Sequence, residues 1–139
     1  MENSCLFEQA KTEESKGNRD KALEQYTQFI NLTCRNDRSN YSKYMKEKLA
    51  LAYNNRGFLR YLRVDFDEAI EDYTRSVSLD PDLAVTYYNR GTIHYRLSRF
   101  DNAIADMEAA LRLNPDFTEA RTGLERSAAD KQEKLNRGW

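Results

Sequence analysis

Apolar residues recur along most of the chain at the three- and four-residue spacing of amphipathic helices. The apolar blocks come in pairs, separated by short breaks such as Arg63-Val64-Asp65 and Ser98-Arg99. This pattern predicts helical hairpins, and the fold class that we expect is all-α with about seven helices. The helices are expected near residues 3–16, 19–33, 40–63, 66–79, 82–97, 100–113 and 116–136.

The last two hairpins are related by a period of 34 residues. Three pairs of residues share the same separation: Pro81 and Pro115, Gly57 and Gly91, and Ala69 and Ala103. Small residues let two helices cross closely, and a proline ends a helix. We expect a single domain over 1–139, made of repeat one at 3–36, an insertion with an early helix start at 37–49, repeat two at 50–83, repeat three at 84–117 and a capping helix at 118–136.

The charge balance narrows the range of partners. The 139 residues contain 22 Lys and Arg against 23 Asp and Glu, and the mean hydropathy is −0.90. Such a chain lacks the broad positive field that non-specific binding to nucleic acid requires, and it has no apolar run long enough to span a bilayer. Its first residues do not have the pattern of a signal peptide. We therefore expect an intracellular, cytoplasmic protein without a membrane partner, in which Cys5 and Cys34 are reduced.

Charge is nevertheless uneven along the chain. Residues 35–63 hold eight basic and two acidic side chains, whereas residues 64–83 hold one basic and seven acidic side chains. The third helix could therefore offer a basic face to an acidic partner or to RNA. The interpretation that we favour is a solvated face compensated by the acidic helix of the same hairpin, which disfavours nucleic acid as a partner.

A helix-turn-helix repeat of about 34 residues with these features resembles the tetratricopeptide repeat. The matching residues are Tyr53, Gly57, Ala69, Tyr73 and Pro81 in repeat two, and Tyr87, Gly91, Ala103, Ala110 and Pro115 in repeat three. Repeat one is more divergent and has Cys34 in place of the proline. The resemblance implies a right-handed α-solenoid of three repeats and a capping helix, whose concave face binds an extended peptide or a helix of another protein. It does not imply catalysis.

The resemblance also implies which residues line the groove. In repeat two they are Leu51, Asn54, Asn55, Phe58, Tyr61 and Leu62, and in repeat three they are Val85, Tyr88, Asn89, Thr92 and Tyr95. Amide side chains at equivalent positions can both donate to and accept from a peptide backbone, so Asn55 and Asn89 could form a sequence-tolerant clamp. The alternative is that they bond only a neighbouring helix or water. The aromatic residues could form the floor of the groove, although aromatic residues at helical spacing also occur in cores.

Some relatives in the family grip the C-terminal tail of heat-shock chaperones with a carboxylate clamp of lysine, asparagine and arginine side chains. The clamp positions correspond here to Phe7, Lys11, Asn55, Val85 and Asn89. Only Asn55 has the residue type that the clamp requires, because several donors must meet the terminal carboxylate at once. We therefore predict that the chain does not bind chaperone tails in this way.

A second pattern indicates structural ion pairs. Arg56 and Asp72 lie on the two helices of one hairpin, and Arg90 and Asp106 repeat this arrangement at the same separation. Repeat one has neutral glutamines at both equivalent positions, so the charge is absent from both sides together. We expect an intra-repeat pair in each of the last two repeats. The alternative is that the arginines contact a ligand.

No residue pattern points to catalysis, a cofactor or a metal. His94 is the one histidine and lies within a predicted helix, where we expect it to be packed, and neither cysteine belongs to a C-x-x-C motif. The favoured function is a protein-interaction adaptor, monomeric or weakly dimeric, whose protein or peptide ligand the sequence does not identify. The alternative is a structural module that associates with itself, and RNA binding through the basic third helix ranks third.

Overall fold

A computed structural model describes residues 2–35 and 41–138, with side chains from Cys5 onward. Within these residues the chain forms seven α-helices and no strand, which confirms the all-α prediction. The helices are α1 (Glu2–Ser15), α2 (Arg19–Thr33), α3 (Lys43–Leu62), α4 (Phe66–Leu79), α5 (Ala84–Arg96), α6 (Phe100–Leu113) and α7 (Thr118–Arg137). Residues 36–40, which include the predicted start of the third helix and the first four residues of the insertion, lie outside the described residues.

Three of the predicted helices agree with the observed bounds at both ends, and the others differ by up to three residues. Helices α5 and α7 begin two residues later than predicted. Their preceding residues, Leu83 and Phe117, have ψ angles of 90° and 89°, so the backbone is not yet helical at these positions. Helix α3 has 20 residues, whereas α5, its counterpart in the next repeat, has 13.

The three hairpin turns share one backbone conformation. Gly17, Val64 and Ser98 occupy equivalent positions between the two helices of each repeat, and their φ angles are 83°, 65° and 60°. Positive φ is readily adopted by glycine but costs a residue with a Cβ atom about 1–2 kcal/mol. The turns of repeats two and three therefore store strain that the turn of repeat one does not.

The described chain divides into two compact units. The first, Met1–Pro81, contains α1 to α4. In it α1 packs on α2, α2 on α3 and α3 on α4. Its core consists of Phe7, Ala10, Ala22, Tyr26, Phe29, Ile30, Leu49, Ala52, Tyr53 and Leu59. The crossing of α3 and α4 is close at Gly57, because a Cβ atom there would lie 2.8 Å from the ring of Tyr73.

The second unit, Asp82–Trp139, contains α5 to α7. Helix α6 packs on both α5 and α7, and α5 also touches α7. Met107, Ala110 and Ala120 are buried at its centre, and they are surrounded by Tyr87, Tyr88, Leu111, Phe117 and Leu124. At Gly91 a Cβ atom would lie 3.4 Å from the carbonyl oxygen of Ala103, so glycine permits the close approach of α5 and α6.

Candidate functional site

A buried arginine–aspartate pair joins the two helices of repeat two. Asp72 of α4 is fully buried and accepts from Arg56 of α3 at both oxygens, from Nε at 2.9 Å and from Nη2 at 2.7 Å. Arg60 Nη1 donates to the same carboxylate at 3.1 Å. Arg56 also donates to the hydroxyl of Thr27 in α2 at 3.4 Å, which links the pair to the preceding hairpin. Bidentate bonds between charged groups are strong and geometrically specific, so this pair fixes the hairpin.

Repeat three has the same arrangement between α5 and α6. Arg90 donates from Nε and Nη2 to the two oxygens of Asp106, at 2.9 and 2.8 Å. These bonds raise the pKa of Arg90 above its usual value. His94 is buried one turn further along α5, with Nε2 4.0 Å from Asp106 Oδ2. Burial lowers the pKa of His94, since the attraction of Asp106 does not offset it and Arg90 and Arg99 lower it further.

The two predicted amide residues of α3 lie in different surroundings. Asn54 is buried and donates to Oδ1 of Asn55 at 3.2 Å. Asn55 is partly exposed and donates to the hydroxyl of Tyr26 at 3.1 Å, and that hydroxyl donates to Glu14 at 2.8 Å. An amide has two N–H groups and two carbonyl lone pairs, so Asn55 keeps one of each beyond these bonds. Asn55 is therefore the more accessible of the two amides.

Aromatic residues line the C-terminal half of α3. Phe58 is exposed and Tyr61 is partly exposed, and their rings stack with centroids 6.2 Å apart. Tyr61 also stacks on Phe66 at the start of α4, with centroids 5.8 Å apart. Leu51, two turns before Phe58, is exposed as well. The helix thus presents apolar surface that is not part of the core of the first unit.

In the second unit, three of the predicted residues come together beside α7. Tyr88, Thr92 and Tyr95 line a cavity of about 140 Å³ together with Met107, Glu119, Thr122, Gly123 and Arg126. Tyr88 packs on Phe117 with ring centroids 5.0 Å apart, and Thr92 donates to the carbonyl of Tyr88 at 2.9 Å. Asn89 is partly exposed on the same helix. Tyr88 therefore contributes to the packing of the unit as well as to the cavity.

Tyr95 is tied to α7 by its hydroxyl, which donates to the carboxylate of Asp130. This bond raises the pKa of Tyr95. No sequence pattern points to Asp130, because α7 lies outside the repeat period and has no internal copy with which it could be compared. The same holds for Glu119 and Arg126 at the cavity.

The first turns of α3 carry a basic and aromatic cluster that includes side chains of α1. Lys48 Nζ lies 5.2 Å from the ring centroids of both Phe7 and Tyr44, and it donates to the Tyr44 hydroxyl at 2.9 Å. Lys11 Nζ lies 5.6 Å from the same Phe7 ring. Glu8 lies 4.0 Å from each of the two ammonium groups. The lysines come from helices far apart in the sequence, so no local pattern indicates their approach.

A cavity of about 260 Å³ lies at the end of repeat one, where Cys34 replaces the proline. It is lined by Cys34, Tyr41, Leu49, Tyr53, Thr74, Arg75, Ser78 and Leu79. Cys34 Sγ is 3.8 Å from the hydroxyl of Tyr53, and burial raises the pKa of that hydroxyl. Among residues 2–35 and 41–138, no three His, Cys, Asp or Glu side chains are grouped to hold a metal ion. No helix in this part of the chain is long and apolar enough to cross a membrane.

The described chain is built from helical hairpins of one repeated design, and an arginine–aspartate pair fixes two of them. These features define a helical-repeat scaffold. The particular repeat is identified by comparison, since residues 50–83 and 84–117 match the family model of the tetratricopeptide repeat. Together the two matched segments make up 68 of the 139 residues, and the chain has the fold of tetratricopeptide-repeat (TPR) domains. Repeats of this family mediate protein–protein interactions.

Solved TPR domains with this fold align with most of the chain. The TPR domain of Arabidopsis OM64 is 26% identical, with 90% of this chain and 93% of that chain covered and a TM-score of 0.76. The second TPR domain of human RPAP3, in complex with the HSP70 peptide SGPTIEEVD, is 25% identical, with coverages of 88% and 92% and a TM-score of 0.71. The first TPR of Spaghetti (RPAP3), bound to the HSP90 peptide SRMEEVD, is 22% identical, with coverages of 94% and 93% and a TM-score of 0.79.

Proposed function

We propose that this chain is a non-catalytic adaptor that binds an extended peptide or a helix of another protein at the groove positions of its repeats. The observation that carries the proposal is the surface of α3, where Asn55 keeps unused bonding capacity between exposed Leu51 and Phe58. Aromatic anchors beside polar groups are typical of interfaces between proteins. Peptide complexes among the similar TPR domains support the same class of ligand.

We further propose that the chain does not use a chaperone carboxylate clamp. At the first of the five clamp positions, Phe7 is buried in the core, and at the fourth, Val85 supplies no charge. The HSP90 peptide SRMEEVD that binds the first TPR of Spaghetti is a direct test. We expect no saturable binding of this peptide by fluorescence anisotropy. Binding that is lost on Asn55→Ala would contradict this part of the proposal.

Affinity capture from cell lysate tests the adaptor function. The variant Asn55→Ala/Phe58→Ala removes an amide and a ring on α3, and neither of the two replaced side chains is itself fully buried. Tyr88 is left intact because it packs on Phe117. The matched control is Leu135→Ala, which truncates an exposed apolar residue on α7. We expect partners captured by the wild type and the control to be lost with the α3 variant, provided that circular dichroism shows all three to be equally helical.

Self-association remains the alternative function, because the apolar surface of α3 could also pair with another copy. Light scattering distinguishes the two, since this alternative requires a concentration-dependent dimer that the α3 variant abolishes. RNA binding is disfavoured, because Arg56 and Arg60 are bound to Asp72 and Lys43 lies 3.9 Å from Glu47. RNA binding would regain support only if the affinity for RNA depended steeply on the salt concentration.

Within the family, the strings LALAYNNRG, RVDFDEAIEDYT and YYNRG, with the long segment after repeat one, resemble tetratricopeptide repeat protein 32. That protein is a small free-standing member of the family. The resemblance is compatible with the adaptor function, and it brings no enzymatic activity to the proposal.

A further inference from the structure

The exposed apolar residues of α3 form a straight row. Tyr44, Leu51 and Phe58 are 65%, 39% and 39% exposed, and successive members are seven residues apart. Seven residues are almost two helical turns, so these side chains project from nearly the same side of α3 at intervals of about 10.5 Å. The row extends along most of a helix that is 20 residues long.

The residues that follow each member of this row by four positions complete a coiled-coil pattern. Lys48 follows Tyr44 by four residues, Asn55 follows Leu51 by four, and Leu62 follows Phe58 by four, so the spacing alternates between four and three. This alternation is the heptad repeat, in which the row supplies the d positions and Lys48, Asn55 and Leu62 supply the a positions. We call these six residues the α3 seam.

Resting on the proposed function, we infer that the ligand of the α3 seam is an amphipathic helix of another protein, with apolar residues in heptad spacing and an acidic residue that faces Lys48. An extended peptide fits the row less well. Its side chains on one face recur about every 6.6–6.8 Å, and neither that interval nor its double equals the spacing of the row. A partner helix with heptad spacing has the same interval as the row and meets all three apolar residues in register.

Charge favours an acidic partner helix over a second copy of this chain. Lys11 and Lys48 share one carboxylate, that of Glu8, so this end of the seam keeps a net positive charge. Two copies of the seam paired in parallel would bring Lys48 close to its own equivalent, and like charges destabilise such a pair, whereas an antiparallel pair would bring Lys48 near Asn55, which carries no negative charge. An acidic side chain at the corresponding position of a partner would be attracted instead.

Asn55 favours one alignment of a partner helix along the α3 seam. A polar residue at an a position of a coiled coil specifies alignment at some cost in affinity, because it must find a polar partner across the interface. Asn55 is held in place by the Tyr26 hydroxyl and has one N–H and one lone pair left to offer. We therefore expect an asparagine or glutamine seven residues from the acidic residue of the partner helix.

The experiment is a selection of random 24-residue peptides displayed on phage against the immobilised full chain. We expect enrichment of sequences with apolar residues in heptad spacing, one acidic seam residue and no proline. The best peptide is then synthesised, and its affinity is measured by fluorescence anisotropy with wild type, Leu51→Ser, Lys48→Glu and the matched control Leu135→Ser. We expect Leu51→Ser to weaken binding about tenfold, and the control to leave it unchanged.

A charge exchange tests the predicted contact with Lys48. Lys48→Glu should weaken binding of the acidic peptide, and a peptide with lysine at its acidic seam position should recover affinity for Lys48→Glu but not for wild type. The helix inference would be overturned if the enriched peptides are extended or rich in proline, or if Leu51→Ser does not change their affinity. Either result would leave the proposed adaptor function unaffected. Failure to enrich any peptide would count against both. A dimer that Leu51→Ser abolishes would identify a second copy as the occupant and would also overturn the inference.

Discussion

The buried pair between Arg56 and Asp72 allows a quantitative test of what holds repeat two together. Asp72 is 0% exposed and Arg56 is 6% exposed, and the carboxylate accepts three hydrogen bonds from two arginines. Asp72→Asn keeps the shape of the side chain but removes its charge, so Arg56 becomes a buried cation without a counterion. Removing one partner of a buried pair costs about 3–5 kcal/mol. Because the amide oxygen can still accept one bond, we expect about 3 kcal/mol, a large part of the roughly 5–15 kcal/mol typical of a domain.

The double variant Arg56→Gln/Asp72→Asn separates charge from packing. It replaces the ion pair by two neutral amides, which resembles the glutamine pair that repeat one has at these positions, Gln9 and Gln25. Neutral replacement of both partners leaves no fully buried charge, because Arg60, which also loses the carboxylate, is 25% exposed in its side chain, so we expect the double variant to be more stable than Asp72→Asn alone. Asp106→Asn is the matched control, and its cost should be smaller because the side chain of Arg90 is 20% exposed.

Urea denaturation followed by circular dichroism in the far ultraviolet measures the free energy of unfolding of all four proteins. The interaction energy follows from the double-mutant cycle once Arg56→Gln is included. If the double variant is at least as unstable as Asp72→Asn, the cost does not come from an uncompensated charge, and the reasoning is refuted.

Three further predictions concern single positions. Val64→Gly should raise the free energy of unfolding by about 0.5–1 kcal/mol, since the relief of positive φ exceeds the entropy cost of glycine; a loss of stability in urea would contradict this. Burial lowers the pKa of His94, so below about pH 6.5 the unfolded chain binds a proton before the folded chain does, and stability should fall as the pH falls. His94→Leu should flatten this dependence between about pH 6.5 and 5, and an unchanged slope would exclude His94 as its source. Gly57→Ala should cost about 1–3 kcal/mol, because its Cβ would meet the Tyr73 ring at 2.8 Å, whereas Gly123→Ala meets only a flexible methionine and should be close to neutral in thermal melts.

Most of the fold could be predicted because repeats two and three can be compared with each other residue by residue. Gly57 and Gly91 mark the helix crossings, and Pro81 and Pro115 mark the ends of second helices, with one period linking both pairs. The helix starts after the prolines were harder to place. The extended backbone at Leu83 depends on a turn that helical periodicity does not describe.

The candidate site was less accessible to sequence reasoning. The family pattern assigns both Asn54 and Asn55 to the groove, but adjacent residues of a helix point about 100° apart, and Asn54 is buried. The Arg–Asp pairs carry a sequence signal, because both members are replaced together in repeat one. The approach of Lys11 and Lys48 to one aromatic ring carries none, since it depends on the packing of helices that are separated in sequence.

The order of the helices within each compact unit has a consequence for synthesis on the ribosome. In the first unit each helix packs mainly on the next helix of the chain, and in the second unit α5 packs on α6 and α6 on α7. Contacts of this kind close only short loops, and helical proteins dominated by them fold in about microseconds to milliseconds. Translation proceeds at about 5–20 residues per second, so the second unit takes seconds to emerge. The first unit, with the α3 seam on its surface, can therefore complete its fold while the rest of the chain is still being made.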